Sequence, residues 1–443
     1  MIISTASAND EKSAKNAAKG DEYRRSSLCL VLAKDKSIPN AEVIEESFLG
    51  SQMPDKYNDH NVGVRTFAID DITTTDADYD LFKEAVEMGI LAEKTEKSGG
   101  ELPEGAIMPT VTIDPSDKKT QMATLAYKYL RDNDFPQQMA ANWFGGVSEN
   151  TPEIVWNRGL YDASAQRIDE AAASLFGTSS LKEAGMQLIP KTFTVVSRYE
   201  YLSKDELIEQ IGGVMLLAAE LSGENIAIMA AKAAITTMKA TMGDGYYVKT
   251  TSFLFQLDWN DDMLTLVDTK LWNNPAEWEA NKSSFKIKYI GSETAWAKTK
   301  AGIFTNKPES ELIRIATVDA MDNVLAKLEK RYEVFKTKVP LMVAESGEGK
   351  KIEQLLTAKV GMKEGLSGGE KFEVLEAMYD EATNQHKYKR IGVVKVDKKH
   401  IWDNRYMAAE ESEATGTTQE FAETRFDGGK NKFYSGCLLR QIR

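Results

Sequence analysis

The sequence predicts an α+β protein of several domains: mixed α/β N-terminal and central regions followed by a small C-terminal antiparallel β-barrel. Three observations predict this class. The chain has 443 residues, more than the ~100–200 of an ordinary domain. It is 42% hydrophobic and 28% charged, which supplies proper cores and makes wholesale disorder a poor description. Short strand signals separated by turns crowd the final stretch, the pattern of a small barrel or sandwich.

The first region spans 23–150. A strand is expected over 26–33, where Leu28, Leu30 and Val31 are apolar, and a helix over 41–50. A second strand is expected over 61–69 from Val62, Val64, Phe67 and Ile69, although the alternation slips between Val64 and Phe67. Helices are expected over 79–91 and 122–132, with a Gly- and Pro-containing loop at 99–105.

The second region spans 151–343. An Ala-rich helix is expected over 164–184, then a β-branched and aromatic strand over 189–199. Ser203 with Glu206 three residues on resembles a capping box that opens the hydrophobic helices of 206–240. Within these, 211–238 is the most apolar stretch, but Glu220, Glu224 and Lys232 interrupt it. No run reaches ~18 uninterrupted apolar residues, so no spanning helix is expected. The favoured reading is a buried helical hairpin broken at Ser222-Gly223, with membrane association as the alternative. Strands follow over 246–257 and 284–290. Next comes an amphipathic helix over 309–338 carrying Leu312, Ile315, Val318, Met321, Leu325, Leu328, Tyr332 and Phe335, ending before Pro340.

A charged, Gly-rich linker at 344–351 leads to the barrel, 352–443. Its strands are expected over 357–360, 371–378, 388–396, 401–408 and 433–441, with a polar loop at 410–418.

The net charge of −13 argues against non-specific nucleic-acid binding, which depends on Lys and Arg neutralising phosphates. The basic clusters at Lys387, Lys389 and Arg390 and at Lys398-Lys399 are expected to be solvated faces. Cys29 and Cys437 are too few for a disulfide framework. Two free thiols are favoured over a single bond joining the chain's ends. No Cys or His spacing suggests zinc.

The catalytic templates fit the residues of this chain poorly. Gly347-Glu348-Gly349-Lys350 lacks the spacing and the following Ser or Thr of a phosphate loop. His60 beside Asp59 has the makings of an oriented base, but its Pro, Asn and Asp neighbours describe a polar turn. His386 and His400 lie near strand ends. Asp70-Asp71 is a second tight acidic pair. Asp258, Asp261 and Asp262 beside Trp259 form the best carboxylate group, for a cation or a glycan. The competing reading is an acidic turn capping a helix. Trp272, Trp278 and Trp296 lie in the same span, as core or as recognition surface. No catalytic, cofactor-binding or metal-ligating residue is therefore assigned, and no cofactor is expected.

Several phrases resemble a family of uncharacterised exported proteins of Bacteroidetes. They are Asp21-Glu22-Tyr23-Arg24-Arg25-Ser26-Ser27-Leu28, Pro54-Asp55-Lys56-Tyr57-Asn58-Asp59-His60, Arg158-Gly159-Leu160-Tyr161-Asp162-Ala163-Ser164, Gln256-Leu257-Asp258-Trp259-Asn260-Asp261 and Ile401-Trp402-Asp403-Asn404-Arg405-Tyr406-Met407. The resemblance spans nearly the whole chain and implies export. It adds weight to Ala6-Ser7-Ala8 as the small-residue remnant of a signal peptide in the flexible leader 1–22. A further resemblance links Gly361–Val374, with Ile391-Gly392-Val393-Val394 pairing back, to small β-barrels of bacterial envelope assembly proteins, including some flagellar-base accessory proteins.

The implied function is a non-enzymatic envelope scaffold or binding component, in the periplasm or at the outer membrane, or in the cytoplasm if Met1 is the true start. Its partners would be envelope proteins or further copies of the chain, with no nucleic acid. A carboxylate-dependent enzyme acting on glycans and a membrane-interacting protein using 211–238 are the alternatives.

Overall fold

The computed structural model describes residues 26–54, 56–98, 107, 109–155, 186, 188–202, 204–241, 247–298, 307–346, 353–380, 385–416, 421–428, 433–435 and 437–442. The expected leader 1–22, the Ala-rich helix over 164–184 and the Gly-x-Gly-Lys stretch lie outside these residues. So does Ser203.

The chain builds an α+β structure with two sheets. The first is centred on β1 (Ser26–Lys34). β1 pairs in parallel with β2 (Tyr57–Asp59) and β3 (Thr66–Ala68) along one edge and with β4 (Thr192–Leu202) along the other. β5 (Tyr247–Asp258) and β6 (Lys286–Lys298) extend it antiparallel. The boundary expected near residue 150 is thus crossed by one sheet, because β1 and β4 pair over seven residues.

β1 is buried on both faces, as a central parallel strand must be. Its alternation sorts the cores. Leu28, Leu30 and Leu32 point to one, and Cys29, Val31 and Ala33 to the other. The first core lies under α1 (Ala41–Gly50). The second lies under α2 (Asp76–Lys97) and α3 (Lys118–Asp132). α4 (Phe135–Asn142), unanticipated in sequence, closes a third core around the buried Trp278.

The strand expected over 61–69 is divided. Gly63 turns at φ 62°. The Asn61 side-chain oxygen accepts the Leu30 amide at 2.9 Å, standing in for a backbone carbonyl in the ladder. Only Thr66–Ala68 rejoins β1.

The hydrophobic helices form a hairpin between the adjacent strands β4 and β5: α5 (Lys204–Leu221) and α6 (Asn225–Thr241), turning at Gly223, φ 70°. After β5 come α7 (Asp261–Leu266) and α8 (Pro275–Ala280). α9 (Glu309–Arg331) packs on the first core and is buried on more than one flank: Ile313, Ala316, Ala320 and Val324 join Met321, Leu325 and Leu328. It stops seven residues short of the expected end. The Glu93 carboxylate takes the amides of Glu333 and Val334 at 2.8 and 3.1 Å, diverting them from a helical ladder into a 3₁₀ turn.

The second sheet is the C-terminal barrel. Its order is β7 (Val339–Pro340), β13 (Leu438–Gln441), β10 (Lys371–Asp380), β11 (Gln385–Val396), β12 (Thr424–Gly428), β9 (Glu353–Ala358) and β8 (Met342–Ser346). The first and last strands of that order are the two halves of one segment, divided at Leu341. The sheet therefore curls until its ends meet, and it recruits 339–346 as well as the residues after the linker. Val374, Val394, Phe372 and Phe426 fill the interior. Val374 pairs opposite Gly392, so the Gly-Val strand does return to β10.

The strand expected over 401–408 does not form. Asp403 accepts the Arg405 amide at 3.3 Å, and Asn404 Oδ1 accepts the Lys363 amide at 2.9 Å, so polar side chains fix the backbone locally. Met407, at φ 61°, then opens α10 (Ala408–Thr415), where a loop was expected.

Candidate functional site

Residues that sequence reasoning singled out for chemistry are dispersed and engaged. Asp258 Oδ1 lies 2.9 Å from Lys288 Nζ across the β5–β6 ladder. Asn260 caps α7 by accepting the Met263 amide at 3.1 Å, and Asp261 and Asp262 occupy its first turn. There acids stabilise the positive end of a helix, which is the capping arrangement. Trp259 and Trp272 pack on Phe144, Trp278 stacks on Phe285 at 5.4 Å, and Trp296 lies under Lys249.

His60 is buried. Its Nε2 donates to the Met139 carbonyl at 2.8 Å and its Nδ1 meets Asn142 Nδ2 at 3.3 Å. Asp59 instead accepts the Asn61 amide at 2.9 Å, so the imidazole is fastened to α4. Both cysteines are free and buried, in different cores. Burial pushes the Cys29 thiol up to about 12, far from the thiolate range of a nucleophile. Among the described residues no three His, Cys, Asp or Glu converge to hold a metal.

A cleft of about 700 Å³ separates α1 and α9 from the barrel. Arg314, Lys363, Glu364, Asp403 and Arg405 line it. Their charges are largely matched internally: Arg405 forks onto Asp403 with Nη2 at 2.6 Å, and Glu364 accepts from the Gly361 amide at 2.6 Å and from Asn404 Nδ2 at 2.9 Å. One group stands apart. Asp322, on α9, is buried; neither of its oxygens accepts a hydrogen bond, and Lys363 Nζ is 3.9 Å away. Burial raises its pKa to about 7, only partly opposed by Lys363. This cleft is the seam where the barrel docks, and Asp322 is not among the residues that line it.

The α5–α6 hairpin is different in kind. Sequence reasoning expected it to be buried, and it is not. Its root is anchored through Leu207, packed with Leu202 and Tyr247. Gly212 lets the helices approach: a Cβ there would come 3.1 Å from Ile235 of α6. Beyond the root, Val214, Leu217, Leu221, Ile226 and Met229 are 59–81% exposed.

Helix geometry sorts the surfaces. A residue turns by about 100° around the axis. With Ile208, Gly212 and Ala219 buried on the inner side of α5, Val214, Leu217, Ala218 and Leu221 fall on one flank. Asp205, Glu209 and Glu220 fall on the other. On α6 the buried Ala231 sets the inner side. Ile226, Met229, Ala230 and Ala233 then form one flank, and Asn225, Lys232 and Lys239 the other. Because the two helices are antiparallel, the apolar flanks lie on the same side of the pair. The hairpin is a two-helix plate, apolar on one face and polar on its back. The i, i+3, i+4, i+7 spacing of Val214, Leu217, Ala218 and Leu221 was legible in sequence. That it was a second stripe, additional to the one facing α6, was not.

No helix among the described residues is long and apolar enough to cross a membrane. The chain matches no family model, no curated protein and no solved structure.

Proposed function

We propose that this protein is a non-catalytic binding or scaffold component of the bacterial cell envelope, and that the α5–α6 hairpin is its docking element. The observation that carries the reading is the apolar plate. The sheet and the barrel complete their own cores without it, and contiguous exposed apolar surface of this size marks an interaction site. Three arrangements support a binding role over a reaction. His60 is fastened to α4, Asp258 is paired across a ladder, and Arg405 in the cleft beside the barrel is held by Asp403. The envelope assignment rests on the resemblance of the chain's phrases to exported proteins.

Fractionation of native cells, followed by recovery of the protein with what co-purifies, tests this. The expected outcome is recovery in periplasmic or outer-membrane fractions with a stable protein partner, and loss of that partner in the variant Leu217→Glu. Recovery in the cytosol with no stable partner overturns the reading.

A further inference from the structure

We infer that the occupant of the apolar plate is a second copy of this chain, whose own plate packs face to face and antiparallel with it to form a four-helix bundle. The inference rests on the hairpin being the docking element and adds the identity of its partner.

Three features of the hairpin favour another copy over a lipid surface. First, helices that lie in a membrane interface pair a Lys/Arg-rich polar face with Trp or Phe on the apolar one. Residues 204–241 contain no aromatic residue and no arginine, and five acids against three lysines. Second, the tip is acidic, with Glu220 and Glu224 flanking the turn, so insertion tip-first would carry carboxylates into hydrocarbon. Third, the plate carries small residues: Ala218, Ala230 and Ala233 are exposed, and such positions let helices approach closely.

The distribution of bulk sets the orientation. The tip half carries Leu221, Ile226 and Met229. The root half of α6 presents the smaller Ala233, Thr237 and Ala240. An antiparallel two-fold lays each bulky tip over the partner's small-residue root, so large side chains meet small ones. It also separates the acidic tips along the bundle. A parallel pairing stacks bulk on bulk and brings four carboxylates together.

The area suffices. α5 and α6 have 18 and 17 residues, so each is about 26 Å long. With axes ~9 Å apart, the plate hides roughly 500 Å² per copy, or about 1,000 Å² in all, the threshold for a specific interface. Because the same patch serves both copies, the contact closes on itself and yields a dimer rather than a filament.

The test uses the full chain in sedimentation velocity. The expected result is an elongated dimer at micromolar concentration, the two bodies at opposite ends of the bundle. Leu217→Glu and Met229→Glu, on exposed positions of the plate, are expected to give folded monomers with unchanged far-UV circular dichroism. The milder Met229→Gln is expected to weaken association by about tenfold, and Lys232→Ala on the polar back to leave it unchanged. Under oxidising conditions Val214→Cys, near the centre, is expected to cross-link to its own copy while Leu221→Cys, at the tip, is not; the native thiols are buried. A monomeric wild type, or a dimer that survives both glutamates, overturns the inference. So does flotation of the wild type with phosphatidylglycerol-containing vesicles that the same glutamates abolish. Tip-to-tip cross-linking through Leu221→Cys overturns the antiparallel arrangement. A monomer that still recovers an envelope protein from cells sinks this inference and leaves the proposed function standing.

Discussion

Two aspartates show how the same side chain acquires opposite roles from its surroundings. Asp78 opens α2 in a capping box: its Oδ2 accepts from the Thr75 amide at 2.9 Å, and its Oδ1 accepts from Arg131 Nη2 at 2.8 Å. Burial works against its charged form, but the Arg131 and Thr75 hydrogen bonds outweigh burial and hold the pKa at about 2. A group depressed below its unfolded value stabilises the fold above that value and stops doing so as pH falls through the folded one. Asp78→Asn is therefore expected to lower stability by about 1–3 kcal/mol at pH 7. The deficit should shrink toward zero between pH 4 and pH 2 in urea titrations. Asp322 has the opposite sign. Its folded pKa near 7 lies above the unfolded 3.8, so its carboxyl favours the fold when protonated, and that contribution disappears as pH rises from about 4 through 7. Asp322→Asn is expected to raise stability at pH 8 by on the order of 2–4 kcal/mol and to flatten the pH dependence between 4 and 7. An unchanged melting temperature at pH 8 would contradict this.

At the scale of elements, close approach matters more than pattern. Gly89 sits where α2 crosses β6: a Cβ there would come 1.8 Å from the Tyr289 carbonyl oxygen and 2.6 Å from its carbon. These are backbone atoms and cannot swing aside. Gly89→Ala gains about 1 kcal/mol of helix propensity yet is expected to destabilise by about 3 kcal/mol through overpacking. Chemical denaturation of the variant measures it. The hairpin is expected to behave conversely. β4 and β5 are adjacent antiparallel strands, paired out to Leu202 and Tyr247. Replacing 209–237 with a short Gly-containing turn, while keeping the Leu207 root, should leave the two sheets folded and far-UV circular dichroism consistent with loss of two helices alone. Most of these elements were legible from periodicity and caps: β1, α1, β5 and the paired helices with their break at Gly223. The strand expected over 401–408 was not, because Ile401-Trp402 and Tyr406-Met407 carry β propensity while Asp403 and Asn404 bind backbone amides that a ladder would need. Propensity is a statement about neighbours along the chain, and those hydrogen bonds reach Lys363.

At the scale of the whole molecule, the long-range pairings were the illegible part. β1 and β4 meet across more than 150 residues, and nothing local in either strand announces the other. The same is true of the barrel's attachment. Lys330 Nζ reaches the Gly365 carbonyl at 2.9 Å, and Arg440 Nη1 lies 3.3 Å from Glu333. The buried Lys56–Glu329 pair sits beside them, with Glu329 also accepting the Thr337 amide at 3.0 Å. These contacts tie the barrel to α9 and thence to the sheet. Glu329→Ala leaves Lys56 buried without its partner and is expected to cost about 3–5 kcal/mol. Because Glu329 touches the segment leading into β7, that loss should be visible as earlier melting of the barrel, read from protection of amides in β10 and β11 by hydrogen exchange.

The barrel's seam has a consequence in time. The segment 339–346 pairs with β13 at one end and β9 at the other, and the Leu341 amide binds the Cys437 carbonyl at 2.8 Å. Its last partner is therefore synthesised about 100 residues after it begins, a span whose closure is slow because its entropy is lost before the contacts form. On the ribosome the sheet around β1 can assemble while the barrel is still an open ribbon with unpaired edges. Only when residues 438–441 emerge can those edges disappear. The final strand acts as the latch of the molecule, and a nascent chain halted a few residues early would present the edge that the finished protein never exposes.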